Sequence, residues 1–153
     1  MNDNDIKMLL CLPKRIINPG ARIKDQRGSR QLNYDIEGAD GQIFRLFIRQ
    51  NLRIDASFSC GLLFISPSGE SLTLTRYNGG DHDHSNPLDA SEKLLMTPHI
   101  HVATERYLAA SRKAEHFAEA TDRYIDLIGA VRALVNDCHI DGVDFELLKR
   151  FSS

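Results

Sequence analysis

Polar and apolar residues alternate along four successive stretches of this chain. Leu32, Tyr34 and Ile36 stand between polar neighbours, and Phe44, Leu46 and Ile48 repeat the pattern, with Arg45 and Arg49 on the other side. Asp40-Gly41 lies between the two runs, so a hairpin with one apolar face is predicted. Phe58, Cys60, Leu62 and Phe64 form a third run. Pro67-Ser68-Gly69 turns the chain into a fourth, in which Leu72 and Leu74 face one way and Thr73, Thr75 and Tyr77 the other. Short turns between consecutive strands predict an antiparallel meander. A fifth strand is expected over His99 to Ala103, where Ile100 and Val102 alternate with two histidines.

The period then changes. Tyr124, Leu127, Ile128, Val131, Leu134, Val135 and Cys138 recur at helical spacing, with Thr121 or Asp122 as a cap and Gly142 beyond the end. Asp144 is placed to cap a short final helix carrying Phe145, Leu148 and Phe151. Residues 5–12 suit a short helix or strand ending at Pro13, and Asn18-Pro19-Gly20 is a turn. Residues 105–119 favour helix by propensity without a clear apolar stripe. Residues 13–30 are basic and weakly patterned, and residues 78–98 read as a long loop rich in His and Asp. Strands first and helices last predict one α+β domain over residues 1–153. In it an antiparallel meander of about five strands is packed by a long C-terminal helix and a short final one.

Composition narrows the class but not the task. The 153 residues are 42% hydrophobic and 26% charged, enough for one core, and this excludes collagen-like, coiled-coil and low-complexity chains. The formal charge of −2 lacks the basic excess usual in non-specific nucleic-acid binders. Charge is uneven, however: Lys14, Arg15, Arg22, Lys24, Arg27 and Arg30 face only Asp25 within residues 13–30. Such a block is a solvated arm or a contact for a polyanion. Cys11, Cys60 and Cys138 are odd in number and contain no C-x-x-C, which points to free thiols in a reducing cytoplasm. Asn2-Asp3-Asn4-Asp5 is not the basic start of a signal peptide, and Met8 to Leu12 is too short to cross a bilayer. A cytoplasmic protein without membrane contact is expected.

The candidate chemistry sits in histidines. Four of six lie within residues 82–101, as the pairs His82/His84 and His99/His101. Residues i and i+2 of a strand share a face, so with Ile100 and Val102 in the core, His99 and His101 stand side by side on the open face of the sheet or at its edge. Neutral and protonated imidazoles coexist near neutral pH, and His84, His99 and His101 can serve as acid–base groups without metal. Arg76 and Arg106 can then stabilise negative charge. Alternatively, His82, His84, His99 and His101 can hold zinc or another divalent transition metal. A solvated His-Asp turn is the plain alternative to both. His116 and His139 are isolated, and Cys138 belongs to the helix stripe.

Arg76-Tyr77-Asn78-Gly79, His84 with Asn86, the stretch from His99 to Tyr107, and Thr121-Asp122-Arg123-Tyr124 form a set. Over residues 42–140 this set resembles a family of small bacterial and phage proteins without assigned activity. The resemblance implies that these motifs form one unit, so Asn78, Asn86 and Tyr107 count as candidate binding residues, but it confers no catalytic residue. Proteins of that distribution act in toxin–antitoxin pairs or phage–host conflict. Three readings follow. The first is a toxin-like endoribonuclease with the histidines as catalysts and Lys14, Arg15, Arg22 and Lys24 as backbone contacts. The second is a non-enzymatic inhibitor that binds a protein, an antitoxin or host-defence partner, with a homodimer through a sheet edge as one form. The third is a metal-dependent hydrolase.

Overall fold

The computed structural model describes residues 1–80, 84–85, 93–94, 97–109 and 117–152, with the backbone alone at 84, 85, 93, 94 and 152. It is a mixed α+β structure with a nine-stranded, mostly antiparallel open sheet and four short helices. Helix α1 (Asp3–Cys11) starts at a capping box in which Asn2 and Asp5 exchange side-chain and backbone hydrogen bonds. It stops before Pro13, where a helical backbone cannot continue. No helix of the described residues is long and apolar enough to cross a membrane.

Strands β3 (Ser29–Gly38), β4 (Ile43–Asn51), β5 (Phe58–Ile65) and β6 (Ser71–Asn78) are neighbours in chain order, and β9 (His99–Val102) pairs with β6. The strand total exceeds expectation because short pieces extend the edges. β10 (Ala118–Ala120) pairs with β9. β1 (Lys14–Ile16) and β2 (Lys24–Gln26) pair with opposite ends of β3, and β11 (Ile140–Asp141) lies parallel to β1. Two or three residues cannot show alternation, so parts of the weakly patterned segment 13–30 nonetheless join the sheet. The Arg27-Gly28 corner between β2 and β3 has positive φ at both positions (52° and 78°), the signature of a tight hairpin. Within the expected long loop, β7 (His84–Ser85) pairs with β8 (Lys93–Leu94) as a separate ribbon.

Helix α2 (Glu105–Ala109) follows β9. Helix α3 (Leu127–Cys138) begins four or five residues later than Asp122 or Thr121 would place it. Asp126 is its N-cap, accepting from Gly129 N at 2.8 Å, and His139 ends it in the left-handed region. Residues 121–124 instead bring Tyr124 into the core. Leu127, Ala130, Val131, Leu134 and Cys138 form the buried stripe of α3, which crosses β5 and β6 while α1 lies against it. Asp144 caps α4 (Phe145–Leu148) as expected, and a 3₁₀ turn, Lys149–Ser152, completes the chain end.

One face of the sheet therefore carries the core: Leu32, Tyr34, Ile36, Phe44, Leu46, Ile48, Cys60 and Leu62 are buried beneath these helices. The fourth strand departs from simple alternation. Leu62 pairs with Thr75 but Leu63 pairs with Thr73, so the chain bulges at Leu74. The extra residue reverses the facing beyond it. Thr75 and Tyr77, expected opposite to Leu72, lie on the core side, and Arg76 and Asn78 turn to the open side.

Candidate functional site

The register orders the open face into rows. One row runs Asn33, Phe47, Gly61, Arg76, His101 and Ala118 across six strands. The next runs Gln31, Arg49, Ser59, Asn78, His99 and Ala120, and a third holds Asp35, Arg45, Leu63 and Thr73. Arg45 and Arg49 are thus about 13 Å apart along β4, on either side of Phe47, while Arg76 lies about 10 Å across the sheet on the Phe47 row. Three guanidiniums surround an aromatic centre.

That centre is flat because of Gly61. A Cβ there would fall 2.5–2.8 Å from three atoms of the Phe47 ring, so the ring lies down on the bare backbone of β5. The Arg49 guanidinium sits over the same ring, 5.1 Å from its centroid. Around them is a concave cleft of about 730 Å³ whose described lining includes Arg45, Arg49, Arg76, Asn33, Asn78 and Thr73 and contains no carboxylate. Asp35 reaches Arg45 only at 3.4 Å in an exposed pair, a weak restraint on that arginine. The described lining therefore carries positive charge although the chain as a whole does not.

His99 and His101 share the open face one strand in from the end of these rows, the facing that their alternation with Ile100 and Val102 predicts. They are not open to water: their exposures are 0% and 1%. The rings meet edge to face with centroids 4.9 Å apart. His99 Nδ1 donates to Thr97 O at 2.9 Å, which places its proton on that nitrogen. His101 Nε2 faces Arg76 Nη2 at 3.5 Å and Asn78 Nδ2 at 3.4 Å, so it accepts from two residues that line the cleft. Asn78 is itself 93% buried, and its Oδ1 has no hydrogen-bond partner among the described residues. Such an unmet group is uncommon in a fold's interior. Tyr124 anchors the strand ends beneath, the single proton of its hydroxyl shared between Asn78 O at 2.8 Å and His99 O at 3.2 Å.

The other sequence candidates disperse. Arg106 is exposed and lies over the Tyr107 ring at 5.8 Å, and Tyr107 is buried against Phe117 rather than offered to a ligand. His84 belongs to β7, its ring outside the described residues, as are His82 and Asn86 entirely. Among the described residues no three His, Cys, Asp or Glu side chains gather as a metal set. Lys14 is not a surface cation: it is 4% exposed and donates to Leu10 O, Leu12 O and Cys138 O, each at 2.8 Å. Arg15 pairs with Glu37 and Arg30 with Asp25. Arg22 and Lys24 remain exposed, so the basic segment is not one surface.

Arg45, Arg49, Phe47 and Gly61 were not singled out by sequence reasoning, which read the two arginines only as the polar side of a hairpin. A signal was present: Phe47 is an aromatic residue at a polar-face position between them. A second polar cluster lies on the helix side, where Asp137 takes two hydrogen bonds from Arg123 (2.9 and 2.8 Å) and a short one from the Tyr77 hydroxyl. Burial and that bond to Asp137 raise the Tyr77 phenol well above its ordinary value. This cluster clamps α3 to β6. Compared with protein families, with curated proteins and with solved structures, the chain matches none, so the likeness of its motifs rests on those residues alone.

Proposed function

We propose that this protein acts on RNA at the open face of its sheet, as a small conflict-system protein. The observation that carries the reading is the ring of Arg45, Arg49 and Arg76 around Phe47 in a cleft whose described lining has no carboxylate. Guanidiniums suit phosphate because they offer several donors in a plane and stay charged. His101 holds Arg76 and Asn78 from behind. In this arrangement the two buried imidazoles are positioning groups, and acid–base catalysis requires that a ring be uncovered beside a phosphodiester. RNA cleavage of the toxin type is therefore the stronger form of the proposal, RNA binding the weaker.

Incubation with mixed RNA separates them. Parent protein, Arg76→Gln and His101→Ala are compared for retention and for cleavage, with and without chelator. Retention lost in Arg76→Gln supports the site, and cleavage lost in His101→Ala supports the enzyme. Activity removed by chelator transfers the chemistry to the metal reading, with His82 and His84 as added ligands. RNA left intact and unretained by the parent rejects both forms.

A protein-binding inhibitor would instead use exposed apolar residues outside the cleft. Ile125 is 88% exposed and Met8 58%, apolar positions that water does not reward. A stoichiometric partner whose capture depends on Ile125 and not on Arg76 would establish that reading instead.

A further inference from the structure

The cleft is more specific than a patch of positive charge. A duplex presents phosphates and hides base faces, and contacts to it need only exposed cations. Here the cations frame an aromatic ring on the open face of the sheet, only 9% exposed, and the missing side chain at Gly61 leaves room for that ring to lie flat. Arg49 covers the ring, so the outermost layer is a guanidinium held over a π face. Bases in single strands stack on aromatic rings and on arginine planes. The cleft volume of about 730 Å³ lies in the range of pockets that enclose a small organic ligand.

We propose that the cleft is a single-strand RNA site. One unpaired base stacks on the Arg49–Phe47 pair seated on Gly61, and Arg45 and Arg76 take the phosphates on either side. This deepens, and rests on, the RNA reading above. Asn33, Ser59 and Thr73 line the same cleft and supply neutral hydrogen bonds to sugar and base edges. The fit is to a nucleotide's three parts together: base over the centre, phosphates at the arginines, ribose between.

Fluorescence anisotropy at fixed salt tests it with a labelled single-stranded oligoribonucleotide, the same sequence as a duplex, and inorganic polyphosphate as competitor. Arg49→Lys keeps the charge and removes the plane; Phe47→Leu keeps apolar bulk and removes the π face. Arg49 is exposed, so its variant folds regardless of the outcome at Phe47. The single strand is expected to bind at least about tenfold more tightly than the duplex, and each variant to lose about tenfold for the single strand alone. Polyphosphate competition should be unchanged by either. Arg76→Gln should weaken the single strand and lower its salt slope by about 0.7. Equal affinity for strand, duplex and polyphosphate, untouched by Arg49→Lys, overturns base stacking but leaves a phosphate-binding face. Absence of binding to any of the three overturns the RNA reading itself. An acidic protein that competes where RNA does not would assign the face to a protein partner.

Discussion

Lys14 offers the sharpest physical test of how this fold is held. Its ammonium lies where α1 and α3 both end, donating to Leu10 O, Leu12 O and Cys138 O, with the Phe44 ring 5.1 Å away. Helix ends carry unmet carbonyls and partial negative charge, and one cation here serves two of them. Burial nevertheless pulls its pKa from 10.5 to about 8, against the opposing pull of nearby Cys138 and Cys11. That gap is worth about 3 kcal/mol. Between pH 8 and 10.5 the unfolded chain holds more protons at this site than the native one, so this residue's contribution to stability rises with pH. Below pH 8 both states are charged and the native state bears the full burial penalty. Lys14→Met keeps the stem and deletes the donors. At pH 7 the three lost charge-assisted bonds, about 1.5–3 kcal/mol each, outweigh the relieved penalty, and the variant should be about 2 kcal/mol less stable. The deficit should widen by about 1.4 kcal/mol per pH unit from pH 8 and stop near 10.5. Buried Cys60, Cys138, Tyr77 and Tyr124 are all raised and destabilise parent and variant alike at high pH, so the difference between the two is the quantity to follow. Urea unfolding of both proteins at half-unit steps from pH 7 to 10 measures it, and an NMR titration of the lysine Cε reads the midpoint directly. A difference that stays flat across this range, or a variant as stable as the parent at pH 7, refutes the reasoning.

Other outcomes follow from the same geometry. Cys11 is exposed while Cys60 and Cys138 are buried, and burial pushes the Cys138 thiol up to about 12; a thiol reagent should titrate one group in the native protein and three in denaturant. Partial burial alone would raise the Asp137 carboxyl, but hydrogen bonds from Arg123 and Tyr77 and the Arg123 charge hold it below 3.8. The stability it lends is therefore present above pH 4 and lost as pH falls through its native value. Asp137→Asn should remove about 1–2 kcal/mol at pH 7 and flatten the acid limb, as read by thermal melts from pH 2 to 7. Gly61→Val drives a side chain into the Phe47 ring, where a Cβ alone comes within 2.5 Å; it should cost about 1–3 kcal/mol in urea unfolding and, on the reading above, abolish single-strand selectivity.

The middle of the fold was legible because β3, β4 and β5 each bury one face, and their alternation is long enough to display it. Asp144 as a cap and the α3 stripe were legible for the same reason: local chemistry and packing agree there. The edges were not, since β1, β2, β10 and β11 are held by register with longer neighbours rather than by a pattern of their own. Lys14 could not be told from its basic neighbours, because what distinguishes it is a meeting of two helix ends, the second of them 124 residues away from it in sequence.

The site itself depends on one residue that sequence periodicity misassigns. With strict alternation from Leu72, the fourth strand would send Arg76 and Asn78 into the core beside Leu62 and Cys60, and Tyr77 would point out. Neither guanidinium nor amide can be accommodated there without several kcal/mol of desolvation, whereas the Tyr77 ring fits against Tyr124 at 6.1 Å and its hydroxyl finds Asp137. The bulge at Leu74 resolves this conflict. It buries Tyr77 and, in the same step, puts Arg76 opposite Gly61 and in line with Phe47 and His101. The demand of the core for a tyrosine thus fixes the third arginine of the cleft, and the helix-side clamp and the open-face site are two consequences of one extra residue in β6.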